Sequence, residues 1–431
     1  MNETTTQNTT PRPRRQRPKR DAAYYYKRAR QYHNGMLIFT FVLIVLIFAI
    51  ANLIHRDRGV SENENRKLAQ RPKFSVSALA DGSYFSGVTS WFNDQFVGRD
   101  GWITMNLGGQ KLLGRRESGD VYLGRKGYLL KKPASMNAET VEAKTEAIRE
   151  FATSYPDVRM YFTLAPSAAS ILTDKVPRNA PLAPQLDQIQ TVYTHLGTVT
   201  PLDITTTLQR HKDEYIYYKT DHHWTSLGAR YAFEAVSVDM DLAAVSEYDV
   251  HTVSTTFRGT QSSESGDRRS KDTIQVYTPK DVDVSYLVTI PATQEKSASM
   301  YKREALDTKD QYTVFFGGNY PLVEIGTTAN AGRCLLMFKD SYANCFIQFL
   351  TPYFDKIIMI DPRYYYDDLT SVITTQGVTD VLFLYCADTF MEDTSLTDVL
   401  NSVLTTLNAE AASAPADAED ADAEDAADQN E

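Results

Sequence analysis

The sequence predicts an α/β protein: a parallel sheet covered by helices, preceded by one transmembrane helix. Residues 36–54, MLIFTFVLIVLIFAIANLI, run without a charge. Farther on, compact apolar runs (RMYFTLA, CLLMF, KIIMI, DVLFLYC) recur between segments of helical spacing. Strands buried on both faces read as near-continuous apolar runs rather than alternating ones, which is the condition of a parallel sheet between helices. A chain of 431 residues, 42% hydrophobic with 26 Tyr and 19 Phe, can bury a core of that size.

Residues 1–35 hold nine Lys/Arg against two acids and show no apolar periodicity, so they are expected to form a disordered basic tail. Residues 36–55 follow as the transmembrane helix. Within 36–54 only Thr40 and Asn52 have polar side chains, and at about 1.5 Å per residue the run spans roughly the 30 Å of bilayer hydrocarbon. A cleavable signal peptide is the rival reading. Its apolar core is normally about 7–15 residues long behind a short basic stretch; here a 35-residue tail precedes and no small-x-small site follows, which favours an uncleaved anchor. The tail is far more basic than the opposite flank, HRDRG. The positive-inside rule therefore puts the N-terminus in the cytoplasm and the rest outside the cell membrane. The basic run is expected to meet anionic headgroups of the lipid bilayer.

Residues 56–135 read as a connecting N-terminal region of the ectodomain, closing with a hairpin in which Arg125-Lys126-Gly127 turns between VYLG and YLL. Asn137 caps a helix over AETVEAKTEAIREFATSY, opening a main domain over 136–407. Its strands are RMYFTLA, TVTPLDIT, CLLMFKDS, KIIMIDP and DVLFLYC, and its further helices cover 225–237, 342–350 and 393–407. Residues 250–330 are richer in polar and Gly residues and read as an insertion carrying loops. Residues 408–431, with nine acids and no base after Glu410 begins the run, are expected to be a disordered acidic tail. A net charge of -10 with no nucleic-acid motif excludes nucleic acid as a partner. Cys334, Cys345 and Cys386 have neither CxxC nor metal spacing, so a disulfide scaffold is excluded and they read as small buried hydrophobes. No cofactor is assigned.

Two stretches carry chemistry. In RCLLMFKDSYANCF an apolar strand ends at Phe338 and must turn at Lys339-Asp340-Ser341 before a helix. A serine at such a turn is presented above the sheet, where N–H groups at a helix start can hold an oxyanion. Ser341 is the candidate nucleophile, or merely the cap of that helix. In KTDHHWT, Asp221 stands two residues before His223, near enough to fix the imidazole tautomer while the other ring nitrogen serves a hydroxyl. Trp224 is free to pack as a wall. Asp221 could instead cap the helix near Thr225. A metal site is disfavoured, because H-x-H and H-x-x-x-H spacings are missing and adjacent side chains on an extended segment point opposite ways.

These motifs resemble the DHHW family of Gram-positive bacteria, within the alginate-acetyltransferase-like branch of the SGNH hydrolase superfamily. The likeness covers most of residues 61–405 and includes ENRKLA (64–69), NDQFVGRD (93–100), VYLGRKGYL (121–129), FRGT (257–260), SG (265–266) and DPRYY (361–365). It implies an SGNH-like, flavodoxin-like sheet. By position it makes Asp221 the orienting acid, His223 the base and Ser341 the nucleophile, with His222, Trp224 and Asp340 supporting them. Lys339 stands where the family's relatives carry glycine before D-S. Oxyanion donors are sought in the Ser341 N–H, Asn344 and the GGN at 317–319, and Tyr342 is a further oxyanion or substrate candidate. Arg363 either binds a polyanionic glycan or anchors a carboxylate. The resemblance implies a serine O-acetyltransferase acting on a glycan acceptor, with a membrane-bound O-acyltransferase as partner. A carbohydrate esterase and a non-catalytic envelope scaffold or glycan-binding protein are the alternatives.

Overall fold

The computed structural model describes residues 21–243, 247–280 and 282–413. Contacts divide the chain into two units, Met1–Gly59 with Leu68–Arg99 and Val60–Lys67 with Asp100–Glu431. Residues 100–135, assigned from sequence to a connecting region, therefore belong to the larger unit.

The smaller unit is built on a helix of 33 residues, Ala22–Ile54. It starts well before the apolar run. Asp21 caps it by accepting the Tyr24 N–H at 2.9 Å, and Ala22, Ala23, Lys27, Arg28 and Arg30 are good helix formers that extend an existing helix without a new nucleation cost. The expected disorder of residues 22–35 is thus corrected; residues 1–20 lie outside the described residues. No side chain of this helix is buried, and among the described residues it is the one helix long and apolar enough to cross a membrane. Helices Val76–Ala80 and Ser83–Gln95 complete the unit.

The larger unit is organised by an eight-stranded sheet of β1 (Arg159–Ala165), β2 (Thr200–Pro201), β3 (Tyr286–Ile290), β4 (Glu295–Ser297), β5 (Leu322–Thr327), β6 (Cys334–Lys339), β7 (Lys356–Ile360) and β8 (Asp380–Cys386), in the spatial order β4-β3-β5-β7-β6-β8-β1-β2. From β7 to β2 the neighbours are parallel, whereas β5, β3 and β4 add on antiparallel. The 250–330 region is therefore no loop insertion: it supplies three strands of the sheet and most of an antiparallel ribbon, Tyr248–Phe257 with Asp272–Pro279. Its strands are half-exposed, so their polar alternate positions hide them from a search for buried runs.

In the parallel half the apolar runs split by the two-residue period onto two cores. Leu335, Met337, Ile357, Met359, Leu382 and Leu384 face one. Leu336, Phe338, Ile358, Ile360, Val381 and Phe383 face the other. Helix Ser226–Asp239 buries Ala229, Phe233 and Val236 in the first core; helix Ala138–Ser154, capped by Asn137, buries Ile148 and Phe151 in the second. The helix expected over 342–350 is instead a short α-turn, Ala343–Phe346, followed by 3-10 turns Ile347–Phe349 and Thr351–Tyr353. All of 342–351 is buried, so packing on every side, with Pro352 interrupting, decides its shape over propensity. The last helix runs Ser395–Ser413, past the predicted end; the acidic residues 414–431 lie outside the described residues. The predicted hairpin forms with Val121–Leu123 against Leu129–Lys131, turning through Lys126 and Gly127 at positive φ.

Candidate active site

The carboxyl ends of the parallel strands converge where an open α/β sheet collects its functional groups. β6 delivers Asp340 and Ser341 there. Asp340 is buried and accepts the N–H groups of Tyr342 and Cys386, each at 2.9 Å, so its carboxylate shapes the turn and pins it to the end of β8. Burial pushes the Asp340 carboxyl up, against these hydrogen bonds. Ser341 itself is partly exposed. Among the described residues its N–H donates to no acceptor, which leaves it available to an oxyanion.

The second segment is a tight loop closed by an antiparallel bridge between Tyr217 and Trp224, with Tyr218 N donating to His223 O at 3.2 Å. Within it the His223 ring meets Asp221 through Nδ1 at 2.5 Å and Ser341 through Nε2 at 2.7 Å. The three residues singled out in the sequence are thus brought into one hydrogen-bonded chain. Asp221 Oδ1 also accepts the His223 N–H at 3.1 Å, and Oδ2 accepts the N–H and hydroxyl of Thr260 at 2.9 and 3.2 Å. Burial opposes ionisation of Asp221, but the imidazoles of His222 and His223 and the donated hydrogen bonds outweigh it and hold the carboxyl well below the usual carboxylate range. A carboxylate accepts only, so Nδ1 of His223 carries the proton and Nε2 is left as acceptor for the serine hydroxyl.

His222 is half-buried and does not point away from its neighbour: the loop bends, and the two imidazoles lie with centroids 3.9 Å apart. His222 Nδ1 contacts the Thr260 hydroxyl at 2.8 Å. The donor atoms of Asp221, His222 and His223 are near enough to share an ion, yet both ring nitrogens of His223 are already engaged. Trp224 is fully buried and donates its Nε1–H to Tyr342 O at 3.0 Å, which stitches the two segments together.

The other candidates divide. Arg363 is paired through Nε and Nη2 with Asp361 at 2.8 and 2.6 Å. Asn344 is buried and donates Nδ2 to Asn319 Oδ1 at 3.1 Å, while Lys339 Nζ reaches Asn344 Oδ1 at 3.0 Å and Asn319 Oδ1 at 3.3 Å. Lys339, in place of a glycine, is itself buried; burial lowers its pKa, against the pull of Asp361 at 3.7 Å. Asn319 follows Phe316, Gly317 and Gly318, all with φ between 67° and 147°. A buried phenylalanine in the left-handed region is a strained backbone held by its surroundings, as functional loops often are. Tyr342 is buried with its hydroxyl on His222 O, a wall beneath the site rather than a reaching group.

Four residues escaped sequence reasoning. Tyr312 stacks on the His223 ring, centroids 3.8 Å apart and planes 11° from parallel, and donates its hydroxyl to Ser341 O at 3.0 Å. Asp272, on the ribbon, accepts the N–H groups of Lys219 and Thr220 at 2.7 and 2.8 Å and the hydroxyls of Thr220 and Tyr215 at 2.5 Å each, fixing the start of the loop. Thr260 completes the shell of Asp221. Gly259 makes room for it, since a Cβ there would stand 2.0 Å from Asp221 Oδ2. FRGT at 257–260 was the available signal for the last two.

The sequence model of the family described as DHHW protein matches residues 64–126 and 139–360. A solved DHHW family protein from Eubacterium siraeum is 25% identical with a TM-score of 0.56, the alignment covering 65% of this chain and 94% of that one. Bacillus cereus PatB1, solved with a sulfonyl adduct, is 22% identical with a TM-score of 0.52, covering 62% and 95%; that likeness is one of fold. The O-acetyltransferase domain of Pseudomonas putida AlgJ is similar at 13% identity and a TM-score of 0.42, covering 65% and 99%. No curated protein matches the sequence.

Proposed function

The chain belongs to the DHHW family, and from that premise we propose that it is an SGNH-like serine O-acyltransferase, anchored by its apolar helix with the larger unit outside the cell, that acetylates hydroxyls of a cell-surface or secreted glycan. The observation that carries the reading is the unbroken chain Asp221–His223–Ser341 ending on a partly exposed hydroxyl.

In the first half-reaction His223 Nε2 takes the Ser341 proton as Oγ attacks the acyl carbonyl. The tetrahedral oxyanion is met by the Ser341 N–H, with the side-chain amide of Asn319 as a second donor: its Oδ1 is held by Asn344 and Lys339, which orients the NH2. Collapse breaks the bond to the donor's leaving alcohol, which takes the proton from His223 and leaves acyl-Ser341. A sugar hydroxyl then loses its proton to His223 and attacks the ester, and the released Ser341 alkoxide recovers that proton. Asp221 stays ionised throughout and stabilises the imidazolium. Activated acyl donors are cytoplasmic, so the reading includes a membrane-bound O-acyltransferase as the partner that passes the group outward.

The full chain in detergent, given an aryl acetate with and without oligosaccharide, tests this. Acetylated sugar at the expense of acetate is expected; brisk hydrolysis with no acetylated sugar would leave a carbohydrate esterase. A sulfonyl fluoride should modify Ser341 and stop turnover, as an activated serine requires. Full turnover by Ser341→Ala would discard the mechanism and leave a scaffold or glycan-binding role.

A further inference from the structure

We propose that the smaller unit is a lipid-binding collar: helices Val76–Ala80 and Ser83–Gln95 lie in the headgroup and upper acyl region of the leaflet from which the chain emerges. The inference rests on the reading that helix Ala22–Ile54 crosses the membrane.

The collar is fixed to the last turns of that helix. Phe96 stacks on Phe48 with centroids 5.8 Å apart, and the Val97 N–H donates to Asn52 Oδ1 at 2.9 Å. Asn52 is one of two polar side chains in the apolar run, and this bond gives it a partner there. Six residues separate Phe48 from the helix end at Ile54, which at 1.5 Å per residue is about 9 Å of depth. Phe96 is therefore carried below the top of the apolar run, to the depth of roughly 5–10 Å at which interfacial helices bury their apolar faces. The attachment is stiff. Gln95 accepts the Arg58 N–H and donates to Arg58 O, both at 2.9 Å, and to Ala69 O at 3.0 Å. Trp91 Nε1 donates to Asp57 Oδ2 at 2.9 Å under the Arg71 guanidinium.

From Phe96 an apolar stripe runs back along the second collar helix through Phe92 and Phe85, at spacings of four and seven residues that keep one helix face. Phe85 is 61% exposed and Phe92 47%, and beside them Phe74 and Val76 are 65% and 77% exposed. Phe74, Tyr84 and Phe85 form one aromatic cluster. Exposed apolar side chains packed this densely mark an interaction surface, and its continuity with the bilayer-crossing helix selects lipid as the occupant. Arg56, Arg71 and Lys73 are exposed around it, placed to meet anionic headgroups.

The full chain is reconstituted in phosphatidylcholine/phosphatidylglycerol vesicles with an environment-sensitive fluorophore on a single introduced cysteine, at Phe85→Cys, Val76→Cys, Leu46→Cys or Thr153→Cys. The native Cys334, Cys345 and Cys386 are buried and leave labelling selective. The collar sites are expected to give blue-shifted emission and iodide quenching several-fold weaker than at Thr153, approaching Leu46. Quenching at both collar sites equal to Thr153, with Leu46 protected, overturns the collar alone and points to a protein occupant. Leu46 quenched like Thr153 overturns the membrane-crossing reading with it. Should a cysteine variant misfold, Phe85→Trp in a Trp102→Phe background that keeps Trp91 and Trp224, read as the gain in quenching by brominated lipids over the same background without it, gives the same comparison.

Discussion

The two segments that meet at the site are held in different ways. The Ser341 segment is placed by the sheet: β6 runs straight into Asp340 and Ser341, and the buried Asp340 ties the turn to the neighbouring β8. The Asp221–His223 segment belongs to no strand of the sheet. It is an irregular loop held from outside, by Asp272 of the ribbon and by Gly259 and Thr260 beside Asp221, at the start of the short helix Thr260–Ser265 that links the two ribbon strands. Chemistry on a regular element is fixed by its own fold, whereas chemistry on a loop borrows rigidity from whatever packs on it. Damage should therefore travel farther into the half that holds Asp221 and His223.

The largest effect tests the shared end point. Ser341→Ala should lower acyl-ester turnover by about 10³-fold or more with an unchanged circular dichroism melt, because Ser341 is partly exposed and supports little packing. Asp221→Asn should cost about 10³–10⁴-fold, since an amide on Nδ1 favours the wrong His223 tautomer. It should also change stability in a pH-dependent way. The folded Asp221 carboxyl ionises at lower pH than in the unfolded chain, so it contributes stability above the ordinary carboxylate range, lost as pH falls because the unfolded chain takes up the proton first. The denaturant-midpoint gap between wild type and Asp221→Asn is expected to be widest at neutral pH and to narrow as pH falls below about 4.

Gly259→Ala sharpens the contrast from a residue that touches no substrate. Its Cβ would stand 2.0 Å from Asp221 Oδ2, so turnover should fall by about 10²-fold, the scale of an ångström's misplacement, while a fluorescence reading of ligand binding changes less. Asp272→Asn places an NH2 among four donors and should lower both melting temperature and turnover. The counterpart on the sheet side, Tyr312→Phe, removes one hydrogen bond to Ser341 O but keeps the ring on His223. It should cost the least, about 1 kcal/mol of stability, as one hydrogen bond does, and a larger loss of turnover than Asp272→Asn would break the comparison.

The same division explains what the sequence made legible. The parallel strands, the Asn137 cap and Ser341 at a strand end are local patterns with a physical period or a required residue type, and each is found where it was read. So is the pairing of Asp221 with His223, two residues apart. The helix read as starting near Thr225 is capped by Thr225 itself and not by Asp221. Thr260, Asp272 and Tyr312 come from a stretch whose strands are half-exposed and whose polar residues look like loop; their partners are set by tertiary packing that no local period encodes. The sequence narrowed the candidate oxyanion donors only to a few groups for the same reason, because the contacts of Asn319 with Lys339 and Asn344 are set across the fold. Helicity over 22–35 was hidden by its charge, though the Asp21 cap was in plain view.

The bond between His223 and Ser341 joins residues 118 apart in the chain. Closing so long a loop is slow to repay its entropy, and contacts of this separation form late in folding. The ribbon and the loop it braces lie much closer in sequence and can assemble earlier. A pulse of sulfonyl fluoride during refolding would then modify Ser341 only once β6 has docked, so the clock that it reads is the completion of the sheet rather than the birth of any single turn.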